Sequence, residues 1–494
     1  MAGSEHGRPL LQIAPMMEVT YRDFRYFMRL LTKRTQLWTE MVVDDTILHN
    51  LETEKCERFL GYNGQEHPIV CQLGGSDPTK LAAAAEVIQR YGYDEVNLNV
   101  GCPSCRVACK GEFGCSLMKR PEVVRDAIHA MSRAVQIPVT VKCRLGVDDL
   151  DNQEYTRKFV TTVKQGGCKH FIIHARKAWL NGLSPAQNRT VPPLHYPRIL
   201  DLCNHFPDLN FSINGGITDI GHARALLNFP HQRLEGETAE LYAAAWDWQS
   251  TGSMEACPIP SNLQGVMIGR GAMNTPCMLW DVDHTIYGEE KPEPMTRRQL
   301  LEKYRLYLED SHADGSSVGS THLALKPTLG MFSGLRGNKA FRGTADAAMR
   351  KKNEEGAPAR VLELAMEAVD AANPGILDEP LQGTVAFRPL APKQNGTNGT
   401  PQGTPQGTPR GQKRKPSVAD GGSADSVMTC AAETGQIPDA SPLVTVSTQW
   451  HCKMLQDMLP RFAQQWFAVA GRGNAMWFSQ MFWESWPCKH CGGL

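Results

Sequence analysis

The sequence predicts an α/β protein with a (β/α)8 barrel over residues 1–290, a C-terminal helical domain and a disordered C-terminal extension. Three observations support this. Eight short apolar segments, rich in β-branched residues, read as buried strands, and longer segments of helical spacing lie between them. Polar residues collect where seven of the eight short segments end. Active sites of this barrel lie at the carboxyl ends of its strands, so the polar ends predict a site.

The elements follow from the spacing of apolar residues. The predicted strands are Gln12–Met16, Leu37–Val43, Pro68–Gly75, Glu95–Gly101, Val139–Arg144, His170–Arg176, Asn210–Gly216 and Gly265–Arg270. The predicted helices between them are Tyr21–Leu31, Pro78–Tyr91, Pro121–Val135, Asn152–Gly166, Asp219–Leu227 and Met273–Ile286. Eight such units match the usual TIM-barrel size of about 250 residues. A doubly wound parallel sheet is the alternative, but it rarely needs eight parallel strands in one run.

The segment from residue 95 to residue 118 is the centre of the predicted site. Asn97 and Asn99 share one face of a strand, where a purely structural buried strand favours apolar residues. Cys102 follows this strand directly, in a loop rich in glycine and cysteine. Two amides followed by a thiol predict a reaction centre. Taken alone, Cys102 would more often be a small buried apolar residue.

The other strand ends supply the remaining candidate residues. They are Pro15, Met16 and Met17 after the first strand, Gln72 on the third, Lys142 and Arg144 on the fifth, His174 and Arg176 on the sixth, Asn214, Gly215 and Gly216 on the seventh, and Gly269 and Arg270 on the eighth. Residues two apart on a strand share a face, so Lys142 and Arg144 project together.

The last two strand ends predict a phosphate-bearing cofactor. In this fold a cofactor phosphate commonly lies between the loops after strands seven and eight. Gly215, Gly216 and Gly269 allow the backbone to approach a phosphate, and Arg270 adds a charge-assisted partner. Either glycine motif alone would more often be an ordinary turn. The sequence has no GxGxxG after a first strand and no GxxxxGK[ST], so it indicates neither a Rossmann site nor a P-loop.

Flavin mononucleotide (FMN) fits this set of residues. The segment from Ala14 to Met17 could form a slot for the ring, and Gln72 and Lys142 could donate hydrogen bonds to its pyrimidine edge. A cation near N1 stabilises a reduced, anionic flavin, and Lys142 is the candidate. The alternative for Lys142 is a lysine that extends from the strand end to solvent.

Composition excludes several classes of protein. Lys and Arg together number 52, as do Asp and Glu, so net charge gives no argument for nucleic-acid binding. The 15 cysteines are scattered, as in a reducing compartment. No apolar h-region opens the chain and no apolar run approaches the ~20 residues of a membrane helix. We expect a soluble, monomeric, cytoplasmic protein without a membrane contact; a plastid or mitochondrial address is the alternative if the N-terminus is incomplete.

The chain after the barrel changes character twice. The predicted domains are 1–290 (barrel, with an insertion at 229–262), 291–378 (helical), 379–445 (low-complexity disordered linker) and 446–494 (Trp-rich tail of unknown role). Thr296 and Gln299 have the spacing of a capping box, and Pro358 begins a further helix. Cys488 and Cys491 resemble half of a zinc knuckle, but no second pair follows, so no metal site is expected.

Many segments of the chain resemble the tRNA-dihydrouridine synthases, and most closely the A-type branch. The matching segments are APMMEVTYRDFRYFMRLL, LWTEMV, HPIVCQLGG, NLNVGCPS, VTVKCRLGVDD, IIHARKAWLNGLSPAQNRTVPPLHYPR, SINGGI and GVMIGRGA. They extend over nearly all of the first 290 residues. The resemblance implies flavin-dependent reduction of uridine to dihydrouridine in the D-loop of tRNA, at positions 20 and 20a, with NADPH as hydride source.

The resemblance also implies roles for individual residues. Cys102 falls on the position of the proton donor to C5, with hydride passing from reduced FMN to C6, and Asn99 falls on a position that meets the substrate base. Flavin-binding positions fall on Pro15, Met16, Met17, Gln72, Lys142, His174, Asn214, Gly215, Gly216, Gly269 and Arg270. The loop departs from the family pattern at Cys105 and has one residue more before its glycine. Cys105, Cys109 and Cys115 are therefore additional thiols near the site, and Cys102 is preferred because it directly follows the strand.

A uridine in folded RNA must leave its stack to be reduced, so the entrance needs cations for phosphates. Arg176, Lys177 and Arg189 lie in the long loop after the sixth strand, and Arg144 could assist. By the same resemblance, residues 291–378 bind tRNA together with the barrel. The basic residues of that region are Lys326, Arg336, Lys339 and Arg342. Each cation alone would more often be a solvated surface charge.

Two other functions remain open from the sequence. A flavin barrel that reduces a small molecule, such as a dihydroorotate or enoate reductase, would not need the basic loop or the helical domain. A non-catalytic tRNA-binding protein could keep the fold, but the presence of Cys102, Lys142 and His174 argues against it.

Overall fold

Eight parallel strands form the centre of this computed structural model. They are β1 (Leu11–Ile13), β2 (Leu37–Val43), β3 (Ile69–Gly74), β4 (Glu95–Asn99), β5 (Val139–Arg144), β6 (His170–His174), β7 (Asn210–Asn214) and β8 (Leu263–Ile268). Their order in the sheet is β1-β8-β7-β6-β5-β4-β3-β2. The Gln36 carbonyl accepts the N–H of Ile13, and the Gln36 N–H donates to the carbonyl of Leu11, which joins the two ends of the sheet. The predicted (β/α)8 barrel is confirmed.

The structure describes residues 10–51, 55–104, 107, 112–228, 260–312, 321–350 and 357–383. The helices in these ranges are α1 (Arg22–Arg29), α2 (Asp44–Leu48), α3 (Lys55–Leu60), α4 (Pro78–Tyr91), α5 (Pro121–Ala134), α6 (Gln153–Lys164), α7 (Tyr196–His205), α8 (Ile220–Asn228), α9 (Arg270–Asn274), α10 (Val282–Thr285), α11 (Arg297–Ser311), α12 (Thr321–Leu325), α13 (Asn338–Arg350) and α14 (Pro358–Ala372).

Some helices differ from the prediction. The predicted helix Met273–Ile286 is wrong, because Pro276 opens a separate 3₁₀ turn, Pro276–Leu279, between two short helices. Helix α7 was missed because Pro197 resembles a helix breaker. It lies in the first turn, where a missing N–H costs no helical hydrogen bond. Helices α2 and α3 are too short to show a full apolar period.

Several strands end earlier than predicted, and this changes where the site residues lie. Strand β8 ends at Ile268, so Arg270 is the first residue of helix α9 and not a strand residue. Strand β6 ends at His174, which leaves Arg176 in the following loop. Strand β7 ends at Asn214, and Gly215 and Gly216 follow it with φ of 107° and 74°. These glycines need the left-handed region, which residues with a side chain rarely adopt.

The two faces of the strands bury different sets of residues. One face packs against the helices through the main apolar core, to which Cys71 and Leu73 of β3 belong. The opposite face fills the barrel with a smaller cluster of Ala14, Trp38, Val70, Ile172 and Met267. Val70 is followed on that inner face by the polar Gln72, since side chains alternate along a strand. The inner face therefore carries the polar residues toward the carboxyl ends of the strands.

The helical region after the barrel packs on helix α1. The rings of Tyr26 and Tyr307 stack with their centroids 3.7 Å apart, and the Tyr307 hydroxyl donates to Asp23 at 2.9 Å. Helix α14 begins at Pro358, as predicted, and ends before Asn373. This packing attaches the predicted tRNA-binding region to the first β/α unit of the barrel.

Replacing Thr296 with alanine is expected to lower the free energy of unfolding by about 1 kcal/mol. The Thr296 hydroxyl accepts the N–H of Gln299 at 3.2 Å, and the Gln299 side chain accepts the N–H of Thr296 at 2.9 Å. The predicted capping box is thus confirmed, and alanine removes half of it. Urea denaturation measures the difference. Thr296→Ser keeps the hydroxyl and serves as control; equal stability of the two variants would contradict a stabilising cap.

Some predicted segments lie outside the described residues. They are residues 229–259 of the insertion, the residues from 384 to the C-terminus, and the loop cysteines Cys105 and Cys109. The predictions about the linker and the Trp-rich tail therefore stay predictions. Within the described ranges, no helix combines the length and the apolar character needed to cross a membrane.

Candidate active site

Cys102 lies just beyond the end of β4, in a turn that the side chain of Asn99 holds. The Oδ1 atom of Asn99 accepts the N–H of Gly101 at 3.0 Å and the N–H of Cys102 at 2.9 Å. One amide oxygen thus fixes two successive peptide groups. The thiol is thereby held at the mouth of the barrel.

The far end of the same loop packs back on Cys102. The N–H of Cys115 donates to the Cys102 carbonyl at 3.0 Å. A Cβ at Gly114 would lie 2.7 Å from that carbonyl oxygen and 2.6 Å from Val107, and Gly114 has a φ of 68°. Cys115 is fully buried, whereas Cys102 is half-buried. Of these two thiols, Cys102 is the one that a substrate could reach.

The environment of Cys102 keeps its thiol protonated. Burial raises the pKa of Cys102 above its ordinary value, although the nearby charges of Arg144 and Lys142 act in the opposite direction. A thiol that holds its proton at neutral pH can act as a general acid.

Lys142 and Asn214 form a pair at the ends of β5 and β7. The Lys142 ammonium donates to Asn214 Oδ1 at 3.0 Å, and Asn214 Nδ2 donates to the Met267 carbonyl at 2.8 Å. Burial and the charge of Arg144 lower the pKa of Lys142 to about 8. No carboxylate forms a salt bridge with Lys142 in the described part of the chain. Its charge is therefore available to an electron-rich group in the barrel mouth.

His174 presents a neutral imidazole with an unpaired nitrogen. Burial, followed by the charges of Arg144 and Lys142, holds its pKa well below the ordinary value. Its buried Nδ1 atom has no hydrogen-bond partner among the described residues. A Cβ at Gly215 would lie 3.1 Å from the ring, so a side chain at that position would crowd the imidazole. An unpaired buried nitrogen is costly unless a ligand satisfies it.

Arg176 and Arg189 both lie close enough to Arg270 for its charge to act on them. Burial and then the charge of Arg270 lower the pKa of Arg189, and the same two effects act on Arg176, where Tyr196 opposes them. Arg176 Nη1 is buried without a partner, and no carboxylate pairs with any of the three in the described ranges. Arg270 therefore repels both Arg176 and Arg189, and an anion bound near Arg270 would relieve that repulsion.

The loop after β1 approaches Gly269 with one of its two methionines. The hydroxyl of Thr20 accepts the Met16 N–H at 3.0 Å, and a Cβ at Gly269 would lie 3.7 Å from the Met16 sulfur. Pro15 and Met16 are half-buried. Met17 is 59% exposed, and its predicted contact with the cofactor stays a prediction.

Gln72 and Asn99 are held mainly by other side chains. Gln72 is 1% exposed; its Nε2 donates to Asn97 at 2.9 Å and its Oε1 accepts Asn99 Nδ2 at 2.8 Å. Each amide keeps one free hydrogen, and Gln72 Oε1 keeps one free lone pair, for the predicted contacts with the cofactor and the base, which stay predictions.

Two predicted phosphate-binding cations have partners inside the protein. Arg144 is 4% exposed and donates to the carbonyls of Gly101, Lys177 and Asn188 at 2.9–3.0 Å. The Lys177 ammonium lies 4.2 Å from the centre of the Trp179 ring and 3.4 Å from an Asp151 oxygen. Arg144 thus connects the loop after β4 with the loop after β6. Arg189, in the loop after β6, is exposed and has no carboxylate partner in the described ranges.

Sequence reasoning missed Asn188, which shapes the loop after β6. Its side chain accepts the N–H of Trp179 at 2.8 Å and donates to the Trp179 carbonyl at 2.9 Å. Nothing in its local spacing marks it. Among the described residues, no three His, Cys, Asp or Glu side chains are grouped closely enough to hold a metal ion.

A family model described as "Dihydrouridine synthase (Dus)" matches residues 12–230 and 246–370, which is more than half of the chain. The chain belongs to the dihydrouridine synthase family. Dihydrouridine synthases are flavin-dependent oxidoreductases that act on tRNA, so the sequence-based resemblance is confirmed at the level of the family and of the enzyme class.

Three relatives carry the name "tRNA-dihydrouridine(20/20a) synthase". The protein of Vibrio vulnificus is 42% identical over 67% of this chain and 89% of its own length. That of Shewanella oneidensis is 41% identical over 72% and 93%, and that of Salmonella typhimurium 40% identical over 72% and 94%. These names agree with the predicted A-type branch.

Proposed function

We propose that the protein reduces uridine to 5,6-dihydrouridine at positions 20 and 20a of the tRNA D-loop, with FMN as bound cofactor and NADPH as reductant. The observation that carries the proposal is the position of Cys102. Its protonated thiol lies at the same barrel mouth as the unpaired nitrogen of His174 and the ammonium of Lys142. The names of the relatives support the substrate and the positions.

The residues at the mouth fit FMN. Gly215, Gly216, Gly269 and Arg270 are the proposed phosphate site, because an anion there would relieve the repulsion that Arg270 exerts on Arg176 and Arg189. Lys142, His174 and Asn214 would line the ring, together with Gln72 and the loop from Pro15 to Met17. When bound in its reduced form, FMN supplies a hydride to C6 of the uracil ring.

Cys102 supplies the proton that completes the reduction. The thiol transfers its proton to C5 of the base, and the resulting thiolate regains a proton from water. The raised pKa of Cys102 keeps the thiol protonated at neutral pH, so the proton is present when the base needs it. The remaining N–H of Asn99 stabilises negative charge that develops on the uracil carbonyls.

The helical region from 291 to 378 is the proposed partner of the barrel in binding tRNA. Lys326 donates to the carbonyl of Glu18, which lies in the loop after β1, so Lys326 is at the barrel mouth. Arg336, Lys339 and Arg342 follow it and are exposed, with no carboxylate paired to them within the described residues.

We also propose that the enzyme acts as a monomer in the cytoplasm.

Replacing Arg336, Lys339 and Arg342 together with glutamine is expected to raise the KM for tRNA by about tenfold and to leave flavin reduction by NADPH unchanged. The dependence of log affinity on log salt should become less steep by about 0.9 for each phosphate that the variant no longer neutralises. Filter binding at several salt concentrations, with steady-state kinetics, measures both. The control is Arg133→Gln with Lys158→Gln, on the outer surface of helices α5 and α6. An equal effect of both variants would contradict a tRNA-binding role for these three cations.

The function is tested with the purified protein and an unmodified tRNA transcript. We expect a yellow protein with an FMN spectrum that converts uridine in the transcript to dihydrouridine when NADPH is present. Free uridine, dihydroorotate and an enoate are offered in parallel. Turnover of a small molecule without turnover of tRNA would favour a small-molecule flavin reductase, and a colourless protein that binds tRNA would favour a non-catalytic role.

A further inference from the structure

The barrel interior contains a series of hydrogen-bonded polar side chains. It begins at the end of the barrel where the strands start. Glu95, the first residue of β4, is 7% exposed and borders a cavity of about 710 Å³ at the end of the barrel where the strands begin. The Thr140 hydroxyl donates to Glu95 Oε1 at 2.5 Å, and Asn97 Nδ2 donates to the Thr140 oxygen at 2.9 Å. Asn97 and Thr140 are almost fully buried.

The series of hydrogen bonds continues without a gap to the turn that carries Cys102. Gln72 Nε2 donates to Asn97 Oδ1 at 2.9 Å, and Asn99 Nδ2 donates to Gln72 Oε1 at 2.8 Å. Asn99 Oδ1 then accepts the N–H of Cys102 at 2.9 Å. Strand register produces the contacts, since Asn97 is paired with Gln72 on one side and with Thr140 on the other. We call the series Glu95–Thr140–Asn97–Gln72–Asn99 the relay.

Every hydrogen bond of the relay points the same way. An ionised carboxylate can only accept, so Glu95 requires the Thr140 hydroxyl to donate to it. The Thr140 oxygen must then accept from the Asn97 NH₂ group, and each amide after it is oriented in turn. Rotating one amide by 180° would place two donors or two acceptors against each other, which is costly in a buried site.

The charge state of Glu95 sets the conditions for measuring the relay. Burial raises the pKa of Glu95 to about 7, while the hydrogen bonds from Thr140 and Gln36 act in the opposite direction. The carboxylate is therefore the main form above pH 7, and a protonated carboxyl could also donate. Experiments on the relay are accordingly performed at pH 8.

We propose that Glu95 is a positioning residue: through the relay it fixes the orientation of the Asn99 amide, and so the turn that carries Cys102. If the Asn99 amide were reversed, its NH₂ group would face the N–H groups of Gly101 and Cys102, and the turn would lose both hydrogen bonds. The inference rests on the proposed function for the consequence in catalysis, but the orientation of the turn can be measured without it.

The test breaks the relay at Thr140, a residue outside the proposed cofactor and base sites. Thr140→Val keeps the shape of the side chain and removes the hydroxyl, whereas Thr140→Ser keeps the hydroxyl. We expect Thr140→Val to slow dihydrouridine formation from pre-reduced enzyme by about tenfold, and Thr140→Ser to stay within about twofold of wild type. Flavin content, flavin reduction by NADPH and the KM for tRNA should stay at wild-type values in Thr140→Ser, which keeps the whole relay.

A second readout is independent of catalysis. The rate of iodoacetamide alkylation at Cys102, followed by mass spectrometry of its peptide, should change severalfold in Thr140→Val and not in Thr140→Ser. Ser212→Ala is the matched control, since Ser212 is an equally buried hydroxyl on β7 that bonds His170 at 2.8 Å and lies outside the relay. Asn97→Leu interrupts the relay at a second point and replaces Thr140→Val if that variant does not fold.

The outcomes separate this proposal from the proposed function. Equal transfer and alkylation rates in Thr140→Val and Thr140→Ser would overturn the positioning role of Glu95 while the wild type still formed dihydrouridine. An equal loss in Ser212→Ala would also overturn it, because any buried hydroxyl would then have the same effect. If the wild type forms no dihydrouridine, the proposed function is contradicted. The alkylation rates of Cys102 in Thr140→Val and Thr140→Ser then test the positioning role of the relay by themselves.

Discussion

Cys102→Ala is expected to lower the rate of dihydrouridine formation by about 10²- to 10⁴-fold, the range of a general acid in the transition state. The thiol is the protonated, reachable group at the barrel mouth, and alanine has no proton to give to C5. Flavin content and flavin reduction by NADPH should stay near wild type, because neither step needs this proton. Single-turnover transfer from pre-reduced enzyme to tRNA measures the expected loss directly.

Cys115→Ala is the matched control for that experiment. Cys115 belongs to the same loop and donates its N–H to Cys102, but its thiol is fully buried. We expect transfer within about threefold of wild type and a loss of stability of about 1 kcal/mol from the deleted sulfur. If Cys115→Ala lost transfer and Cys102→Ala kept it, the proton donor would have to be reassigned.

Lys142→Met is expected to slow turnover by about 10²- to 10³-fold, as for removal of one preorganised electrostatic donor. Methionine keeps an unbranched side chain of nearly the same length and removes the charge, and no other cation donates to Asn214 Oδ1 in the described residues. The slow step should be reduction of the flavin by NADPH, which stopped-flow absorbance resolves. Because burial lowers the pKa of Lys142 to about 8, the wild type loses this cation as the pH rises through 8.

The pH dependence of flavin reduction should distinguish the wild type from Lys142→Met. The rate of wild-type flavin reduction should fall above pH 8, whereas Lys142→Met should be slow at every pH and lack that decline. Lys164→Met is the control, since Lys164 is on the outer helix α6 and pairs with Asp208. A variant Lys142→Met that keeps wild-type rates would remove Lys142 from the mechanism.

The barrel and the position of Cys102 could be predicted because they depend on short-range patterns. Apolar runs mark strands that are buried on both faces, and Asn99 and Cys102 follow such a run in the chain. Arg270 could not be assigned to its helix, because α9 has only five residues and no apolar period. The phosphate-binding roles expected of Arg144 and Lys177 could not be weighed, because their carbonyl, aromatic and carboxylate partners come from distant loops.

The relay shows the same limit inside the barrel. Asn97 could be recognised as a polar residue in a buried strand. Glu95, two residues earlier, lies on the same face of β4, and Thr140 lies on the matching face of β5. Sequence alone does not give the register that places Thr140 beside Asn97, so the partners of these groups could not be named. The sequence does contain one signal for the relay: polar residues occur at every second position of β4, at Glu95, Asn97 and Asn99.

Position-resolved mapping of dihydrouridine tests the proposed function most directly, with tRNA from a bacterial strain that lacks its own synthases and expresses this protein. We expect dihydrouridine to return at positions 20 and 20a, and cells expressing Cys102→Ala at the same level not to regain it. Wild-type protein that is abundant and yellow but restores dihydrouridine at no position would contradict the proposed function.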